Sequence, residues 1–137
     1  MDREQVMVSL LVREALEINR GCASRDEPFA GFGLRDEAAL RSAIGAVFQS
    51  VIGQPAYPDV YSRGAALLIK VAKAHAFVDG NKRTAFLLCV TYLGIGEISI
   101  SPQCPQEAID FVERVTKSDE DQGDLIRIAA SQLLEWS

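Results

Sequence analysis

Histidine is nearly absent from this chain: there is one, His75, among 137 residues. Cysteine is scarce as well. Cys22, Cys89 and Cys104 are odd in number and show no CxxC spacing. Together these shortages argue against a structural zinc site and against a disulfide framework, and fit reduced thiols in a cytoplasmic protein. Basic excess is missing too, since the formal net charge is −5. A protein that coats nucleic acid normally carries a basic face, so no direct nucleic-acid partner is expected; a partner with a basic or mixed surface fits better. No apolar run is long enough to span a membrane, and charges interrupt the first residues where a signal peptide would be apolar.

What remains is an ordinary globular composition, 48% hydrophobic and 24% charged. The length suits a single domain, 1–137, with a real core. No internal repeat, low-complexity tract or linker interrupts it. Apolar residues recur at helical spacing, which predicts an all-α bundle of about six helices. The first carries Met7, Leu10, Leu11, Ala15 and Ile18 and should end near Gly21. A loop follows over 22–34 with Pro28, Gly31 and Gly33. Asp36 can cap a second helix that runs through Val51 to Gly53. Pro55 and Pro58 exclude regular helix from 53–60, leaving a turn or a short extended flap before the central helix. The third helix, about 61–76, and the fourth, from about Lys82, are apolar on most faces and belong at the centre. Ile98 and Ile100 alternate with polar residues, which suggests a brief extended piece. Pro105 opens a fifth helix, 105–117, and Asp119, Glu120 and Asp121 lead a sixth, 121–136.

The chemistry is concentrated in HAFVDGNKRT, residues 75–84. This string joins two buried helices, so its second half is a helix N-terminus. Amides there lack intrahelical partners and the helix dipole adds positive potential, which makes an anion site. Gly80 lets the backbone approach an anion closely, Asn81 can donate from its side chain, and Lys82 and Arg83 add charge. A carboxylate beside phosphates needs a cation between them, so Asp79 is the natural magnesium ligand. His75 can face the same pocket as a general base for an attacking hydroxyl.

Blander readings apply to several of these residues. Asp79 can also cap a helix, and a Lys-Arg pair often does no more than start one in solvent. Tyr57 can pack as readily as bind. Arg35 and Asp36 read as a local cap and salt bridge, and Cys89 as a buried thiol. GIGEIS is not a dinucleotide fingerprint, because no strand-turn-helix surrounds it.

The positions His75, Phe77, Asp79, Gly80, Asn81, Lys82 and Arg83 match H-x-F-x-[DE]-G-N-[GK]-R, the signature of the Fic/Doc family. GLRDEAALRSAI (33–44) and AYPDVYSRGAALL (56–68) also resemble Doc-type members. The resemblance covers roughly the first two-thirds of the chain; Ala76 departs from it, standing where many members have proline.

The resemblance implies a Fic-fold bundle in which His75 is the catalytic base and Asp79 holds Mg2+. Gly80, Asn81, Lys82 and Arg83 hold the phosphates of ATP, and Phe77 anchors the loop in the core. A flap of Gln54, Pro55, Ala56, Tyr57, Pro58 and Asp59 docks the target in extended form. Most members have glycine at the position of Lys82 and transfer AMP. Doc-type toxins have lysine there, bind ATP the other way round and pass its terminal phosphate to a threonine of elongation factor Tu, arresting translation. They are restrained by a Phd-like antitoxin whose disordered tail folds on the toxin. The alternatives left open are AMP transfer and a non-catalytic module, either an antitoxin-sequestering binder or a nucleotide-binding regulator. An inhibitory helix of the form [ST]-x-x-x-E-[GN] is matched only poorly, by Thr116 and Glu120 followed by Asp121, so restraint from a separate protein is expected.

Overall fold

The computed structural model describes residues 2–26 and 33–137. The expected loop residues Pro28 and Gly31 lie outside them. The described chain forms α1 (Arg3–Asp26), α2 (Glu37–Val47), a hairpin of β1 (Ser50–Val51) and β2 (Gln54–Pro55), α3 (Val60–Ala74), α4 (Asn81–Ile95), α5 (Pro105–Lys117) and α6 (Gln122–Trp136). The result is an all-α bundle with one small antiparallel flap, Ser50 opposite Pro55 and Val51 opposite Gln54.

Helix α3 is the axis of the bundle. Ala65, Ala66, Leu67, Leu68, Ile69 and Val71 are wholly buried, and α2, α4, α5 and α6 all pack on it. Each buried Leu or Ile removes apolar surface worth roughly 1.5–3 kcal/mol, so this helix dominates the core. Gly64 lets α4 come close: a Cβ there would stand 3.2 Å from Leu93 Cδ2. Helix α1 packs on α4 and α2. The C-terminal pair is tied by an edge-on contact between Phe111 and Trp136, with ring centroids 5.0 Å apart, and Trp136 Nε1 donates to Glu107 at 2.6 Å. Cys89 is wholly buried against α3, and burial pushes its thiol up to about 12.

Three expectations about the elements need correcting. Helix α1 does not end at Gly21 but continues to Asp26. One interior glycine costs only about 1 kcal/mol, and the extra turn buries Cys22 beside Gly80. Helix α2 ends at Val47, not near Gly53. Val51 belongs to the hairpin and is exposed, and Ile52 and Gly53 make its turn with φ of 51° and 75°. Residues 94–104 contain no strand: Ile98 N donates to Leu93 O at 3.0 Å, and Ile98 and Ile100 pack against the core from irregular backbone.

Three aspartates cap helices, of which Asp36 is the one expected to. Asp36 accepts from Ala39 N, Asp59 from Ser62 N and Asp121 from Asp124 N. Burial pushes the Asp59 carboxyl up, but hydrogen bonds from the Ser62 hydroxyl and amide and the nearby Arg63 outweigh this and hold it below its ordinary value. A lowered carboxylate pKa adds stability above the ordinary carboxylate range, and that stability is lost as pH falls through the lowered native value. Asp59→Ala should therefore cost about 1 kcal/mol at pH 7, and the deficit should shrink below about pH 4. Urea unfolding at pH 7 and pH 3 checks this; equal deficits at both would contradict it.

Candidate active site

Helix α3 stops at His75 because His75 takes up left-handed backbone, φ 49° and ψ 41°. Such a turn is common at helix ends but usually falls to glycine or asparagine; for histidine it costs about 1 kcal/mol. The chain then runs extended through Ala76 and Phe77. Both are buried, and Phe77 pairs with Leu34 in an isolated antiparallel bridge. Gly80 makes a second left-handed turn, φ 73° and ψ 20°, and α4 begins. Any other residue would be strained at Gly80, and its Cβ would press on Asn19 Nδ2 at 3.3 Å.

The loop between these turns is fastened at nearly every peptide. Asn81 Oδ1 accepts from Phe77 N at 3.0 Å and Asn81 Nδ2 donates to Phe77 O at 2.9 Å. Arg35 donates to His75 O at 2.7 Å, and the amides of Arg35 and Asp36 both donate to Ala76 O. Val78 N donates to Gly33 O at 3.1 Å. From α1, Asn19 Nδ2 donates to Asp79 O at 2.8 Å and to Thr84 Oγ1 at 3.1 Å. Asn19 and Thr84 are both buried, while Asn19 Oδ1 has no hydrogen-bond partner.

This loop walls a cleft of about 360 Å³, and His75, Asp79, Gly80, Asn81, Lys82 and Arg83 all line it. Cys22, Ala72, Lys73, Val78 and Thr116 complete the wall. Phe77 lies behind the cleft in the core. The first amides of α4 have no side-chain cap, so they keep the donors that a helix N-terminus offers to an anion. Asp79 contributes a single carboxylate; among the described residues no three His, Cys, Asp or Glu side chains cluster to hold a metal. That donor set fits magnesium, which takes one or two carboxylates and fills its remaining positions with phosphate oxygens and water.

Two motif side chains have partners that the sequence did not suggest. Asn81 spends its carbonyl and one donor on the loop. Lys82 donates to both carboxylate oxygens of Glu113 on α5, at 3.2 and 3.4 Å, and Lys117 reaches the same carboxylate at 2.5 Å. Hydrogen bonds from Lys117 and Lys82 hold the Glu113 carboxyl below its usual range. Arg35 departs from the sequence reading in the same way: Asp36 is a cap, but Arg35 binds the His75 carbonyl and makes no salt bridge among the described residues. Of the flap residues, none lines the cleft. Gln54 and Pro55 form β2, with Gln54, Pro55, Ala56 and Pro58 exposed. Tyr57 packs on the core and Asp59 caps α3. Glu120 accepts from Arg114 and Ser118 and stays out of the cleft.

Asn19, Arg35, Lys73 and Glu113 therefore shape the site without belonging to its motif. Only Asn19, a polar residue on the apolar side of α1, left a signal in the sequence.

A helical bundle that carries this loop is a Fic fold. Residues 9–93 match the Fic/DOC family, more than half of the chain, and the chain belongs to that family. It is similar to Toxin Doc of Mycolicibacterium smegmatis (strain ATCC 700084 / mc(2)155), with 40% identity over 68 residues, which are 50% of this chain and 52% of that protein. The chain thus matches about half the length of that curated relative. No solved structure matches.

Removing the strap from α1 tests this geometry. Asn19→Ala leaves the part-buried Asp79 carbonyl and the buried Thr84 hydroxyl without their donor, which should cost about 1–3 kcal/mol in urea unfolding. An unchanged midpoint would show that Asn19 does not hold the loop.

Proposed function

We propose that this protein is the toxin of a toxin–antitoxin pair that transfers the terminal phosphate of ATP to a serine or threonine hydroxyl of a translation factor. The observation that carries this is the convergence of His75, Asp79 and the uncapped N-terminus of α4 on one cleft. The identity to Toxin Doc supports the toxin reading. Elongation factor Tu is the proposed target through the family resemblance.

The chemistry follows from the residues. The α4 amides and Arg83 hold phosphate oxygens, and Lys73 and Lys82 in the cleft wall add positive charge. Asp79 holds Mg2+, which when bound neutralises charge on the phosphates. A target hydroxyl beside His75 gives its proton to the imidazole as its oxygen bonds to the terminal phosphorus. The bond from that phosphorus to the bridging oxygen breaks and ADP leaves. The flap suits an extended target: β2 is paired on one side only, by β1, and Ile52 at its tip is 97% exposed. A segment added along the free edge would be read by backbone hydrogen bonds. In this reading restraint comes from a separate, Phd-like antitoxin; that Glu120 is engaged outside the cleft supports restraint from another protein.

One observation favours AMP transfer as a second reading. Lys82 is the residue that separates Doc-type members from AMP-transferring ones, yet here its ammonium is drawn to Glu113. A lysine held there adds less charge to the phosphate site than its position in the motif suggests.

Intact-mass spectrometry of purified elongation factor Tu after incubation with the protein, ATP and Mg2+ separates these readings. The expected result is a phosphate-sized gain whose rate falls at least about 10²-fold in His75→Ala. An AMP-sized gain would support the second reading. No gain, together with growth arrest that survives His75→Ala, would make the protein a non-catalytic binder.

A further inference from the structure

A histidine that acts as a base usually has its ring held by another side chain. Here none does so: among the described residues the His75 imidazole has no hydrogen-bond partner. The direction of the ring must then come from the backbone that carries it.

On its N-terminal side that backbone is the last turn of a buried helix. On its C-terminal side it is a left-handed residue at the start of a loop, a conformation histidine does not favour on its own. The peptide plane after His75 is held by the Arg35 guanidinium, Nη2 to His75 O at 2.7 Å. The next carbonyl, Ala76 O, accepts from Arg35 N at 2.8 Å and Asp36 N at 3.0 Å. Both carbonyls that follow the base are therefore fastened by one short segment. That segment is itself fixed, because Asp36 caps α2, accepting from Ala39 N at 3.0 Å.

The main-chain bonds would form with almost any residue at position 35. The bond to the His75 carbonyl needs a long donor side chain. A guanidinium suits it, being planar and permanently charged. It also stands at the C-terminal end of α3, where the helix dipole favours a cation.

We propose that Arg35 is a positioning residue for His75, fixing the peptide plane from which the imidazole enters the cleft. This rests on His75 being the base, and the experiment keeps the two claims apart. Because His75 is the only histidine, untagged protein labelled with 13C-histidine gives one ring signal by NMR. Arg35→Ala should shift and broaden that signal, and Arg35→Lys should restore part of the wild-type position. In phosphate transfer to elongation factor Tu, Arg35→Ala should lower kcat about tenfold to hundredfold, with KM for ATP within about twofold of wild type. Added to His75→Ala it should cause no further loss, because it acts only through the ring. Should Arg35→Ala fail to fold by circular dichroism, Arg35→Met keeps the stem, removes the donors and takes its place.

An unchanged ring signal in the donor-less variant overturns the proposal whatever the acceptor protein, and so does a further loss on top of His75→Ala. Full transfer by His75→Ala would overturn the reading of the base instead. An inactive His75→Ala beside a fully active Arg35→Ala would sink only the role of Arg35.

Discussion

Two buried helices have to be joined by residues 75–80, and the site depends on how that join is made. Helices α3 and α4 pack along each other through the core, and residues 75–80 must reverse the chain between them. Reversal leaves peptide groups that neither helix can satisfy. The protein answers with two left-handed residues and with straps from outside, Arg35 from before α2 and Asn19 from α1. Phe77 drives the middle of the loop into the core, and Asn81 closes it by gripping both polar groups of the Phe77 backbone. The polar ends of the loop, His75 and Asp79, are left facing the cleft. Packing that serves stability thus also sets the geometry of the His75 imidazole and the Asp79 carboxylate.

Charge is distributed with equal economy. The chain is acidic as a whole, yet the cleft gathers Lys73, Lys82 and Arg83 around a helix N-terminus. Glu113 sits at the rim with a lysine on each side, Lys82 and Lys117. All three are partly exposed, so the ion pairs add little to stability; their effect is on where the Lys82 ammonium rests. Any anion at the cleft has to share that ammonium with a carboxylate already in contact.

Most of the architecture was legible in the sequence because its signals are local. Helical spacing marked the first four helices, Asp36 announced its cap, Pro105 opened α5 at the residue expected, and the acidic run ending at Asp121 marked the start of α6. The motif residues came together because they are neighbours in the chain. What was not legible is what depends on distant segments. Gly21 reads as a stop, but burial of Cys22 against the loop carries α1 past it. Val51 fits a helical stripe, yet it belongs to a hairpin whose turn is made by the next two residues. Arg35 reads as a partner for Asp36 and instead crosses to residue 75; Lys82 reads as a phosphate ligand and meets Glu113 on another helix. No spacing rule connects residues so far apart in the chain.

The most direct test of the central claim is a crystal structure of the protein with magnesium and a non-hydrolysable ATP analogue. The expected result is phosphate oxygens on the α4 N-terminal amides and Arg83, the metal on Asp79, and the terminal phosphorus as the one nearest His75. A nucleotide bound outside the 75–83 cleft, or one bound there without contact to Asp79 and Arg83, would contradict it.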